Sequence, residues 1–197
     1  MLIRNTSGTL VTAAEDVGEV CINKWAHIMG TYNGTTIRLF YNGVELGSGT
    51  AQTGNIQTST APFRIGSRGS EYTNGKISNV SIFNEALTST EVMKLYSNGV
   101  PQDLSNFTPQ PLAFYPLGSN SFWNGSQWTV RDMIGSNDGT GQNIGVDGLV
   151  GNTPRSEANG TGSNMDIPTN LEGSTKYSSN NSYSINMSNT ARVQDTP

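Results

Sequence analysis

The chain has 197 residues, 34% of them hydrophobic and 13% charged, with a formal net charge of −4, a size suited to about one to one and a half domains. Its eleven Lys and Arg are spread singly and give no basic footprint for nucleic acid or an anionic membrane. No apolar run approaches the length of a membrane-crossing helix, so membrane insertion is not expected. The 23 glycines, set among many Ser, Thr and Asn, predict numerous short strands joined by turns. The opening segment MLIRNTSG lacks the apolar stretch of a signal peptide.

In chain order, Thr9–Ala13 reads as a strand and Glu15-Asp16-Val17-Gly18-Glu19 as an acidic turn. Cys21 is the lone cysteine, so no intrachain disulfide forms. Its neighbours Ile22 and Trp25 predict a buried, inert thiol. Strands near Ala26–Tyr32, Thr36–Tyr41 and Val44–Gly47 are joined by Asn33-Gly34 and Asn42-Gly43. Asn-Gly loops suit type I′ hairpins, whose two central residues take positive φ, so the three strands form an antiparallel meander. Phe63-Arg64-Ile65-Gly66 reads as a further strand. Between Lys76 and Phe83 the apolar parity switches from Ile77 to Val80 and Ile82, which predicts a β-bulge. Thr88 with Glu91 three residues on forms a capping box, so a short helix is expected near 88–97, stopped by Gly99 and Pro101.

Residues 101–111 hold three prolines and no periodicity, the signature of a linker. Leu112–Leu117 opens a new apolar strand. Phe122–Asp132 reads as a hairpin with Asn124-Gly125 at its tip, flanked by Trp123 and Trp128. Sparse apolar residues follow from Gly145, apart from Leu149-Val150 and a strand-like Tyr183–Met187. The chain ends at Pro197 without a terminator, which reads as truncation of a longer repeat protein.

The order Trp-x-His-Ile-x-Gly-Thr-Tyr-Asn-Gly from Trp25, Arg38-Leu-Phe-Tyr-Asn-Gly43, Phe63-Arg-Ile-Gly66, Gly75–Leu87 and Glu91-Val-x-x-Leu95-Tyr-x-x-Gly99 resembles the C-terminal half of a laminin-G-like, concanavalin A-like lectin/glucanase jelly roll. Leu112–Leu117 with Asp132–Thr140 resembles the start of another such domain. The whole is similar to parts of marine bacteriophage structural proteins that carry laminin-G-like repeats. The resemblance implies an all-β, antiparallel jelly-roll sandwich that binds sugars or proteins, in a virion or extracellular setting, beside neighbouring repeats of the same polypeptide. The implied organisation is 1–100 as the C-terminal part of one jelly roll, 101–111 as linker and 112–197 as the N-terminal part of a second. An open edge on Lys76–Phe83 would be a liability. A fold-back of Ala113–Leu117 onto it, with 112–145 completing the first sandwich by permutation, removes that edge.

Glycanases on the fold that this chain resembles share a Glu-x-Asp-x-Glu run on one strand. Here Glu15 and Glu19 share a parity while Asp16 does not, so no enzyme is expected. His27, the only histidine, reads as a structural residue satisfied by nearby backbone. Asp132, Asn137 and Asp138 within one loop offer hard oxygens for calcium, the possible cofactor; the alternative is that Asp138-Gly139 simply makes a turn. For a glycan or host-surface polymer, Trp123 and Trp128 are the stacking candidates, with core packing as their alternative; Arg68 and Tyr72 come second. A ligand-free virion spacer and a glycan hydrolase fragment are the competing functions.

Overall fold

The computed structural model describes residues 1–15, 24–118, 120–145, 148–150, 184–187 and 192–195. Cys21 and the Asp16–Glu19 part of the acidic turn lie outside these residues. The described chain is antiparallel β-structure with one α-helix, the class expected of a concanavalin A-like jelly roll. It divides into two compact units: Met1–Thr60 with Asn84–Val100, and Ala61–Phe83 with Pro101–Pro197.

In the first unit, β1 (Leu2–Arg4) pairs with β2 (Leu10–Thr12). Asn5 closes this hairpin by accepting from Thr9 N–H at 2.9 Å. β3 (Ile28–Tyr32), β4 (Thr36–Tyr41) and β5 (Val44–Ala51) form the meander. The Asn42-Gly43 turn is of the expected kind, with φ of 49° and 80°. Asn33-Gly34 departs from it: only Gly34 (φ 91°) is left-handed in that loop. The Asn33 side-chain oxygen instead accepts from Thr35 N–H, the Thr35 hydroxyl and Thr36 N–H, making a three-residue loop. Asn124 receives the same bonds from Ser126 and Gln127, so two Asn-Gly-Ser/Thr triplets serve as side-chain-capped turns.

β4 buries one residue on each face, Ile37 at 0% and Phe40 at 1% exposure. Ile37 joins Ile3 and Ala13 in a core. The β4–β5 register shifts between Ile37 and Leu39, where Gly47 and Gly49 are left-handed (φ 63° and 81°). The irregularity of this unit therefore lies in the meander.

The helix α1 (Ser89–Tyr96) carries the full capping box: the Thr88 side chain accepts from Glu91 N–H and Thr88 N–H donates to the Glu91 carboxylate at 2.7 Å. Val92 is its buried residue. The stop begins at Ser97, before Gly99, because Ser97, Asn98 and Gly99 are all left-handed.

The second unit contains β6 (Arg64–Ile65), β7 (Ser67–Arg68) paired with β8 (Glu71–Tyr72), β9 (Gly75–Ile77) and β10 (Val80–Ile82). The parity switch between Ile77 and Val80 is a break into two strands at Ser78-Asn79, where Asn79 is left-handed (φ 54°). A bulge would have kept one strand with one partner. Here β10 pairs with β11 (Ala113–Tyr115), matching Val80 with Tyr115 and Ile82 with Ala113. β12 (Phe122–Trp123), β13 (Trp128–Val130) and β14 (Gly139–Gln142) continue the chain, followed by β15 (Leu149–Val150), β16 (Ser184–Met187) and β17 (Arg192–Asp195). β15, β16 and β9 make one sheet, and β12-β13-β14-β17-β6 make a five-stranded one. The core gathers Ile65, Ala113, Tyr115, Leu117, Trp128, Val130 and Ile144. β11 is buried at every position, which explains its unbroken apolar sequence.

Candidate functional site

The tryptophan hairpin forms as a β12–β13 ribbon in which Trp123 and Trp128 are directly opposed. Opposed residues share a sheet face, and this face is the core side. Trp128 is 1% exposed, and its indole N–H donates to Gly145 C=O at 2.7 Å. Trp123 packs edge-on against it at 5.9 Å and joins the same cluster. The ring of Trp128 is therefore a core group with no face to offer a sugar, which corrects the stacking role given to it. Gly141 makes room for it: a Cβ there would lie 3.0 Å from Trp128 Cβ.

The opposite face is polar. Phe122, Thr129, Thr140, position 194 and Arg64 stand in one register row across all five strands. Thr129 lies between buried Trp128 and Val130, and Thr140 between buried Gly139 and Gly141, which fixes their outward parity. The Arg131 guanidinium sits 5.2 Å over the Phe122 ring. Four strand steps of about 4.8 Å make this row about 19 Å long. Arg68 and Tyr72 belong to the small hairpin that follows β6, at the far edge from Trp123. Arg68 is exposed and pairs with Glu71 at 3.5 Å, while Tyr72 is half-buried. The tryptophans and this arginine–tyrosine pair thus lie on different sheets and are not brought together.

Asp132, Asn137 and Asp138 do come together, but as a hydrogen-bonded loop. Buried Asp132 accepts through Oδ1 from the N–H groups of Phe114 (3.0 Å), Ile134 (3.2 Å) and Gly135 (3.0 Å). Its Oδ2 accepts from Asn137 N–H at 3.4 Å. Asp138 accepts from Asp132 N–H and pairs with Arg131, both at 3.0 Å. The Asn137 carbonyl accepts from the Tyr115 hydroxyl at 2.8 Å. A calcium site needs six to eight oxygens turned to one point. These carboxylate oxygens instead face N–H donors and a guanidinium, so the residues present do not fit the ion. No group of three His, Cys, Asp or Glu suited to a metal occurs among the described residues.

The His27 N–H donates to the Asn42 side-chain oxygen at 2.9 Å, and the Asn42 N–H donates to His27 C=O at 2.8 Å. Its ring lies 5.8 Å from that of Tyr96. These bonds engage only the His27 backbone; the buried ring Nδ1 has no partner, which corrects the expectation that nearby backbone satisfies the imidazole. Burial holds the imidazole pKa below its ordinary value. The neutral form is therefore favoured by folding, and the stability it supports is present above about pH 6.5 and lost as pH falls through the folded value. Urea unfolding from pH 8 to 5 should show His27→Phe gaining on the parent as pH drops; a constant difference would refute the assignment.

A feature that sequence reading missed is a cleft of about 300 Å³ in the first unit, whose lining includes Thr31, Thr36, Arg38, Phe40, Leu87 and Ser89, together with Asn33 and Thr88. Thr31 and Arg38 are opposed across β3 and β4. Thr36 and Phe40 flank Arg38 at two-residue spacing and so share its face. The segment entering α1 forms the other wall. Among the described residues no helix is long and apolar enough to cross a membrane.

Residues 2–93 match a laminin-G-type family model described as the concanavalin A-like lectin/glucanases superfamily. The match begins well before the Trp25–Gly99 motif series and contains the whole cleft. No curated protein and no solved structure matches the chain.

Proposed function

We propose, from the match of residues 2–93 to the concanavalin A-like lectin/glucanase superfamily, that this protein is a non-enzymatic module binding carbohydrate or another host-surface polymer. Its setting is a phage or extracellular repeat protein, where neighbouring weak sites gain avidity. The observation that carries this reading is the register row Phe122–Thr129–Thr140–194–Arg64 on the face away from the core. An extended polymer crossing β12, β13, β14 and β6 meets an aromatic edge, two hydroxyls and a guanidinium in turn. Arg68 and Tyr72 extend this surface past β6.

Six of the described carboxylates are already engaged, which favours binding over hydrolysis. Glycoside hydrolysis needs two free carboxyl groups flanking one bond. Glu45 pairs with Arg38, Glu71 with Arg68 and Asp138 with Arg131. Glu91 caps the helix, Asp103 accepts from Ser105, and Asp132 holds its loop.

The test is a glycan array probed with the whole chain, with Phe122→Ala and Arg64→Ala as variants checked for unchanged urea midpoints. Retention of a glycan, weakened about tenfold by either variant, is expected; the loss of one aromatic or charge-assisted contact is of that size. Absence of retention on any glycan leaves the spacer reading in place, and release of reducing sugar would establish a hydrolase instead.

A further inference from the structure

We infer that the cleft between the β3–β4 face and the start of α1 is a binding site for a neutral saccharide of one or two rings, separate from the polymer-binding row. Its ligand class rests on the carbohydrate-binding reading; its location does not. About 300 Å³ is at the small end of ligand sites.

The lining is amphipathic in the sense that a sugar ring is. Phe40 and Leu87, 1% and 4% exposed, supply a non-polar base. Thr31, Thr36 and Ser89 supply hydroxyls that can both donate and accept, which is what a ring bearing several hydroxyl groups demands. Phe40 is too buried to be a stacking platform, so recognition falls to these hydroxyls. Asn33, also in the lining, has its side-chain oxygen engaged by three donors from Thr35 and Thr36, so what it can offer a ligand is its amide N–H₂. Thr88 is already committed to Glu91.

Charge decides against an anionic ligand. Arg38, the one cation in the lining, is bonded to Glu45 on the neighbouring strand. The helix N-terminus, otherwise attractive to an anion, already holds the Glu91 carboxylate against Thr88 N–H and hydroxyl, both at 2.7 Å. A phosphate or sulfate would meet Glu45 and Glu91 with no uncommitted positive charge. A neutral polyol meets only hydroxyls, an amide and a neutralised pair.

The experiment is an NMR titration of the whole chain with maltose, cellobiose, lactose and N-acetylglucosamine, with glucose 6-phosphate as the charged comparison. Saturable shifts at the amides of Thr31, Thr36, Arg38 and Ser89 are expected from at least one neutral sugar, with glucose 6-phosphate weaker. Thr36→Val and Ser89→Ala should each weaken that sugar about fivefold, the size of one lost hydrogen bond, with unchanged urea midpoints. Phe122→Ala should leave it unaltered. The inference is overturned if no sugar shifts these amides, if glucose 6-phosphate binds more tightly, or if both cleft variants bind as the parent does. If the cleft stays silent while the array retains a glycan sensitive to Phe122→Ala, only this site is lost. Silence in both experiments removes the carbohydrate reading as well.

Discussion

Trp128→Ala is expected to destabilise the second unit by about 3–5 kcal/mol, the range for deleting a large buried aromatic. The ring is 1% exposed and packs among Ile65, Tyr115, Leu117, Val130 and Ile144. Alanine would leave a void that cannot close, because β13 is held by β12 on one side and β14 on the other. It would also strip the Gly145 carbonyl of its indole N–H donor. Trp128→Phe separates the two effects: it keeps most of the volume, loses the hydrogen bond, and should cost roughly 1–2 kcal/mol. Urea unfolding followed by Trp fluorescence measures both. A platform exposed to sugar would behave otherwise, losing glycan affinity with little change in midpoint, and that pattern would return Trp128 to the binding surface.

The contrast between what could and could not be read from the residues follows from range. Local chemistry was legible: the Thr88–Glu91 capping box needs only four consecutive residues, and Asn42-Gly43 needs two. The fold-back of Ala113–Tyr115 onto Val80–Ile82 was legible because an open strand edge must be covered and one unpartnered apolar segment followed it. Asn33-Gly34 misled because the residue after it is a threonine, whose hydroxyl and N–H recruit the Asn side chain into a longer loop. The tryptophans misled because strand parity was unknown. The Asn124–Gln127 turn opposes Trp123 to Trp128, so the two rings share whichever face the core takes. A signal was present in Gly141, whose missing side chain leaves the space that Trp128 on the next strand takes. The cleft was not legible. Thr31 and Thr36 meet Leu87 and Ser89 only once the meander and the helix entry have folded, and no local pattern joins them.

Asp132→Ala should cost about 3 kcal/mol or more, and the loss should be the same in calcium and in EDTA. Four N–H groups converge on this carboxylate, and hydrogen bonds to a charged acceptor are worth about 1.5–3 kcal/mol each, less than additively when they share one group. The bond from Phe114 matters most, since it ties the loop to β11, and Met133 N–H returns the contact to Phe114 C=O at 2.8 Å. Without the carboxylate, the Phe114 N–H loses this charged acceptor on a strand enclosed on both faces. Gly135 makes the loop intolerant of rearrangement, because a Cβ there would meet the Asp132 carboxylate and lie 3.0 Å from the Leu112 carbonyl. Asp132→Asn keeps an oxygen for three of the donors and loses the charge, so it should fall between the parent and Asp132→Ala. A metal site predicts a different ordering. There, calcium would raise the parent's midpoint by an amount that grows with its concentration, and Asp132→Asn would abolish that increment. Thermal melts of the three proteins with and without the ion decide between a carboxylate that holds a loop and one that holds a cation.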